Sequence, residues 1–317
     1  MMKKTLTLII FALFPLFVAS AQTKEFKEYA QMVSTDRLKD LIISLADDRT
    51  EGRCSGTIGN MMAEHTIIES FRNNGISTYK RSTYTQSFRK DTTIFRNIIG
   101  YLPSNTKSDE YIIICAHYDH IGKIGDVIYN GADDNASGVA ALITLSKLFS
   151  EMKRKEKNLK KNILFVAVDG KEYNFAGSEY FIKNLTIPKR KIKCVINMDI
   201  IGSKLVPPTS LDEYILILGD RFMTSEYKMD IRRINIRQNL DMCIDFTFYG
   251  SKNFTEMAYK MSDNYTFYKR GIPAILFTSG FHHHTYKPTD DLEIIDFPSL
   301  KKRILLIYGF TRQLILR

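Results

Sequence analysis

The chain alternates between short, unbroken apolar runs and longer stretches in which apolar residues recur every three or four positions. FRNIIGYL (95–102), EYIIICAHYD (110–119), NILFVAVDG (162–170), KCVINMDIIG (193–202), EYILILGD (213–220) and PAILFTSG (273–280) are of the first kind. Their cores are continuous rather than alternating, which predicts strands buried on both faces. LKDLIISL and MMAEHTIIESFRNNGI, within 36–76, and ASGVAALITLSKLFSEM (136–152) are of the second kind and predict helices. FVAVDGKEYNFAGSEYF (165–181) reads as a buried strand, a polar turn and a helix. This succession predicts an α/β fold: a single domain with a mostly parallel, mixed central sheet and helices on both faces. Residues 203–261 are less regular and read as an insertion or lid within that domain.

The first residues, MMKKTLTLIIFALFPLFVASA, have a basic start, an apolar core from Leu6 to Val18 and the small-x-small pattern Ala19-Ser20-Ala21. They predict a signal peptide over 1–21, a mature domain over 22–317, and export to the periplasm or the extracellular space. The apolar core is shorter than the roughly 18 residues of a membrane span. No other run is long enough, so no membrane insertion is expected.

The formal net charge is +10. Much of the excess lies in MKRKEKNLKK (152–161) and PKRKIK (188–193), which flank predicted strands and read as solvated loops and helix ends. Without aromatic or groove-reading motifs beside them they do not make a nucleic-acid surface. Cys54, Cys115, Cys194 and Cys243 allow three full disulfide pairings in an oxidising compartment, and sequence does not choose among them. Cys115 and Cys194 fall inside predicted strands, as small core residues do.

In open α/β sheets ligands bind beyond the carboxyl ends of the strands. There the chain places His117, Tyr118, Asp119 and His120; Asp133 and Asp134 just before a helix; Asp169, Lys171 and Glu172; Asp199; and His282, His283 and His284. Imidazoles and carboxylates are the ligands of zinc and similar divalent ions. Gathered without a cation, the carboxylates would repel one another. His65, alone in its helix, reads as a surface or packing residue.

AHYDHIG, GADDNASGVAAL, DGKEYNFAGSEYF, INMDIIG and SDNYTFYKRGIPAILFTSG, in this order, resemble the secreted co-catalytic dizinc aminopeptidase family. That family also includes glutamate carboxypeptidase, glutaminyl cyclase and the non-enzymatic transferrin receptor ectodomain. LADDRTEGRCSGTIGN and FRNIIGYLP extend the likeness upstream. The resemblance implies His117 and Asp199 as ligands of one metal and Asp134 as the carboxylate bridging two. It implies Asp119 as the residue orienting the His117 imidazole, and Glu172 as a ligand of the other metal.

Two positions depart from that pattern. The family has two consecutive glutamates before Gly-Ser, the first being the general base; here it falls on Lys171. The family has a histidine ligand in Y-H-x-P-x-D; here the chain reads T-Y-K-P-T-D over 285–290, so Tyr286 stands in its place. His284 or His282, on the same face of an extended chain, are candidate substitutes. Both departures weaken the same metal position, so one zinc ion rather than two is expected. The resemblance implies hydrolysis of peptides, of the aminopeptidase type, weakened by Lys171. The alternatives are a degenerate member that binds peptides or a partner, and a glutaminyl-cyclase-like enzyme.

Overall fold

The structure, a computed structural model, describes residues 26–205 and 213–317. The expected leader, 1–21, lies outside the described residues.

The strands, in chain order, are β1 (Ser77–Thr78), β2 (Thr85–Lys90), β3 (Thr93–Leu102), β4 (Tyr111–His117), β5 (Gly122–Ile124), β6 (Val127–Tyr129), β7 (Asn162–Val168), β8 (Ile192–Met198), β9 (Tyr214–Leu218), β10 (Cys243–Asp245) and β11 (Ala274–Thr278). From Thr35 onward the helices are α1 (Thr35–Ala46), α2 (Ile58–Asn73), α3 (Gly138–Glu156), α4 (Ala176–Lys183), α5 (Ser225–Arg237), α6 (Lys252–Lys260), α7 (Asn264–Lys269) and α8 (Phe297–Leu316).

Among the described residues nine strands form one sheet, in the order β1-β3-β7-β4-β8-β11-β9-β10, with β2 also paired to β3. The four central strands, β7, β4, β8 and β11, are mutually parallel. Both flanks bring in antiparallel pairings, β3 with β7 and β11 with β9. The sheet is therefore mixed, parallel at its centre and not throughout. The central strands are the predicted apolar runs, and every residue of β7 is buried.

Strand β4 separates the two faces. Ile112, Ile114 and Ala116 pack into the cluster that holds Val139, Leu142 and Phe149 of α3 and Ile304 and Ile307 of α8. Ile113 and Cys115 pack into the opposite cluster with Phe181 of α4 and Phe267 of α7. The alternation of side chains along a strand requires this division. Cys54, Cys115, Cys194 and Cys243 are all unpaired thiols, so none of the permitted disulfides is present.

The described part of 203–261 contributes to the central sheet and to the main core. Strands β9 and β10 extend the central sheet, Leu216 and Leu218 are buried in it, and Ile231 and Ile234 of α5 join the main core. The irregular reading arose because these strands are short and lie towards an edge.

Candidate metal centre

The chain leaves β4 through α3 to reach β7 on one side, and β8 lies on the other. The strand order reverses at β4, and in open α/β sheets ligands bind beyond the carboxyl end of such a strand. His117 is the last residue of β4, Asp199 follows β8, and Lys171 and Glu172 lie in the turn after β7. Asp134 stands in the turn that starts α3, where the Asp134–Asn135 peptide is cis.

His117, Asp134 and Asp199 converge. The Nε2 of His117 is 3.2 Å from Asp134 Oδ1 and 3.2 Å from Asp199 Oδ1. Ligand atoms about 2.0–2.1 Å from a tetrahedral zinc ion stand roughly 3.3 Å apart, so the spacing fits such an ion. The Nδ1–H of His117 donates to the main-chain oxygen of Asp119 at 3.0 Å, which leaves Nε2 facing the carboxylates. Ser262 donates its hydroxyl to Asp199 Oδ2 at 2.5 Å.

Asp119 meets the His117 imidazole through its main-chain oxygen and, at a longer distance, through its carboxylate. The carboxylate lies 3.8 Å from His117 Nδ1 and also accepts the amides of Lys171 and Glu172, each at 3.1 Å. The carbonyl of Asp119 orients the imidazole, while its carboxylate fixes the neighbouring turn.

A second group, His120, Asp134 and Glu172, also brings three ligand atoms within 4.8 Å of one another. Beside it lies the side chain of Lys171, 6% exposed. Its Nζ is 2.8 Å from Glu172 Oε1, 2.9 Å from the Tyr286 hydroxyl and 3.6 Å from Asp134 Oδ1. Tyr286 thus reaches the site through Lys171.

Burial works against the Lys171 ammonium, but Asp134, Asp199 and Glu172 outweigh it and hold the amine well above its ordinary range. Burial likewise opposes ionised Asp134, yet Lys171 and His117 keep it well below the usual carboxylate range. Burial raises Glu172 despite Lys171 beside it, and pushes His120 down to about 3. Lys171 is therefore a cation and His120 a neutral imidazole.

The three consecutive histidines do not enter either group. His282 Nε2 pairs with Asp133 Oδ2 at 3.2 Å, and the same carboxylate accepts the amides of Gly202 and Ser203. His284 Nδ1 pairs with Thr289 at 2.7 Å. The chain after β11 folds into turns rather than an extended strand, so residues 282, 284 and 286 do not share a face.

Asp290 and Arg53 were not singled out by the sequence, and His120 was placed at the end of β4 without a role. His120 stood in a motif whose other residues already had roles. Asp290, the last residue of T-Y-K-P-T-D, caps the amides of Asp133 and Asp134 at 2.8 and 3.0 Å. Arg53 is fully buried and donates to the carbonyls of Leu45, Tyr118, Asn130 and Gly131. An arginine in an otherwise polar opening segment carries no sequence signal of burial.

The model described as Peptidase family M28 matches residues 97–311. The chain is similar to the alkaline phosphatase isozyme conversion protein of Escherichia coli K12, 28% identical over 173 residues that make up 49% of this chain and 48% of that protein. It is also similar to the BOS complex subunit NCLN of Mus musculus, 35% identical over 132 residues, 41% of this chain and 23% of that one. The match thus spans about half the length of the first relative and about a quarter of the second. Among solved structures, the LapA aminopeptidase of Legionella pneumophila aligns with a TM-score of 0.69 at 15% identity, covering 93% of this chain and 75% of that one. The glutaminyl cyclase of Porphyromonas gingivalis aligns at 0.66 with 18% identity, covering 89% and 99%. At these identities the likeness is one of fold. A family model matched from β3 into α8, over more than half of the sequence, makes the chain a member of peptidase family M28.

Proposed function

We propose that this protein is an exported, peptide-binding member of its family that holds one zinc ion and hydrolyses amide bonds, in the aminopeptidase manner, only slowly. The observation that carries this reading is the Lys171 ammonium, 2.8 Å from Glu172 and 3.6 Å from Asp134. His117, Asp134 and Asp199 would hold the ion, and their spacing suits it. Bound there, zinc supplies Lewis-acid polarisation of the amide carbonyl.

Lys171 stands where the resemblance puts the general base. A charged amine has no lone pair to take a proton from an attacking water. Loss of a placed base lowers the rate by about 10²–10⁴-fold. The same lysine counts against a glutaminyl-cyclase reaction, which the resemblance implies would use that base. A second reading, binding of peptides or a partner with no turnover, follows if the residual rate is negligible. The similarity to a subunit of a complex supports that reading.

The test is hydrolysis of unblocked peptides by the mature wild type and by Lys171→Glu, with zinc supplied and the metal counted. The expected result is one zinc per wild-type chain, lost in His117→Ala, with slow release of amino acids that accelerates at least tenfold in Lys171→Glu. A wild-type kcat in the ordinary enzymatic range of about 1–10³ s⁻¹, not raised in Lys171→Glu, would overturn the reading.

A further inference from the structure

We propose that His120, Asp134 and Glu172 form a second metal site that Lys171 keeps closed in the native chain. The proposal rests on the reading above, in which His117, Asp134 and Asp199 hold a single ion.

The two oxygens of Asp134 face two different imidazoles. Oδ1 lies 3.2 Å from His117 Nε2, and Oδ2 lies 3.9 Å from His120 Nδ1. Neither oxygen makes a hydrogen bond. The ring nitrogens of His120, a residue 1% exposed, make none either. His117 and Lys171 are within ion-pair reach of Oδ1, whereas Oδ2 faces the His120 ring. Buried polar atoms are ordinarily hydrogen-bonded, and an imidazole and a carboxylate oxygen facing each other without such bonds are an arrangement that a metal ion would satisfy. Glu172 supplies the third donor, its amide held by Asp119. One imidazole and two carboxylates suit zinc and leave a fourth position open.

The histidine comes from the loop after β4, not from the loop after β11. The latter brings Tyr286, whose ring lies parallel to that of His120 at 6.3 Å. The His120 loop is set from behind, since the Arg53 guanidinium donates to the Tyr118 carbonyl and the Arg53 carbonyl accepts the His120 amide. Lys171 Nζ bonds Glu172 and lies within ion-pair reach of Asp134, two of the three donors. An ammonium and a divalent cation repel at such separations, so one excludes the other.

The test uses the full mature chain, expressed and purified with zinc throughout and then dialysed against a low zinc concentration. Wild type, Lys171→Met, Lys171→Gln and Lys171→Met/His120→Ala are compared by elemental analysis, with circular dichroism to establish folding. A parallel cobalt(II) series reads ligand-field absorption. The expected counts are one ion in wild type, two in each single variant and one again in the double variant, with a second cobalt band appearing and disappearing in step. A count that does not rise in either folded single variant would overturn the site, as would a second ion indifferent to His120→Ala. Two ions in wild type would overturn its closure by Lys171. Failure of both single variants to fold in zinc would also overturn it, because an ion replacing the ammonium restores the lost compensation. A wild type without any ion, beside single variants that gain one dependent on His120, would sink the preceding reading and leave this one standing.

Discussion

The carboxylate of Asp290 accepts the main-chain amide of Asp134 at 3.0 Å, although the two residues lie 156 positions apart in the chain. It also accepts the amide of Asp133, so one buried side chain from the C-terminal loop sets the turn that aims the Asp134 carboxylate. Asp290→Ala leaves two buried amides without acceptors, and a buried donor left unpaired costs about 1–3 kcal/mol. We expect a loss of at least about 2 kcal/mol in urea unfolding, together with weaker zinc binding in a metal titration. Asp290→Asn, which keeps one acceptor oxygen, should lose less on both counts.

Arg53 offers a second test. Its guanidinium satisfies four buried carbonyls from three separate segments. Lysine has neither the planar fork nor enough donors to replace it. Arg53→Lys should therefore destabilise the protein by about 3 kcal/mol or more, since each orphaned acceptor carries a desolvation cost. Chemical denaturation followed by circular dichroism reads this directly, and an unchanged midpoint would show that the clamp is dispensable.

Lys171→Ala should have a cost that depends on metal. Removing one partner of a buried ion pair typically costs about 3–5 kcal/mol. Asp134 is fully buried and Glu172 largely so, and both lose their neighbouring cation. The melting temperature of the variant should fall well below that of wild type in chelator, and the gap should narrow as zinc is added. An equal deficit at all zinc concentrations would mean that ammonium and metal do not exchange roles.

Gly177 lies where α4 meets the turn carrying Lys171 and Glu172. A Cβ there would run into the carbonyl oxygen of Asp169 and the Asn97 side chain, whose amide donates to the Gly177 carbonyl. Gly177→Ala should destabilise by about 1–3 kcal/mol, as overpacking does. It should also lower peptide affinity more than Ala176→Gly does. Thermal unfolding and a peptide-binding isotherm on the same preparations check both parts.

The centre of the fold was legible because β4, β7 and β8 are covered on both faces, and burial on both faces leaves unbroken apolar runs. The β2–β3 hairpin was not fully read: its outer strand is mostly exposed, and TQSFRK carries little apolar signal. Helix α8 was missed because it is apolar on most sides, packed between the sheet and α5, so its 3.6-residue period is faint. In the site, the place of Lys171 beside Glu172 and Asp134 rested on the resemblance, which puts it where the general base stands, and on charge, since clustered acids need a cation. The choice among histidines did not follow. His284 and His120 are both near carboxylates in sequence terms, and only the turns after β11 and the Arg53 clamp decide which one points inward. Nor does a motif say whether the carbonyl or the carboxylate of Asp119 meets His117.

The strand that carries His117 pairs with β7 and β8 and with no strand before it in the chain. During synthesis, then, β4 leaves the ribosome with both of its edges bare and waits for residues 162–198 before either is covered. The Asp134 turn waits longer still, for Asp290. Pairing of this non-local kind is slow and leaves unpaired edges open to association. The residues proposed to hold the ion therefore come into register only once nearly the whole polypeptide is present, which places any ion loading late in folding.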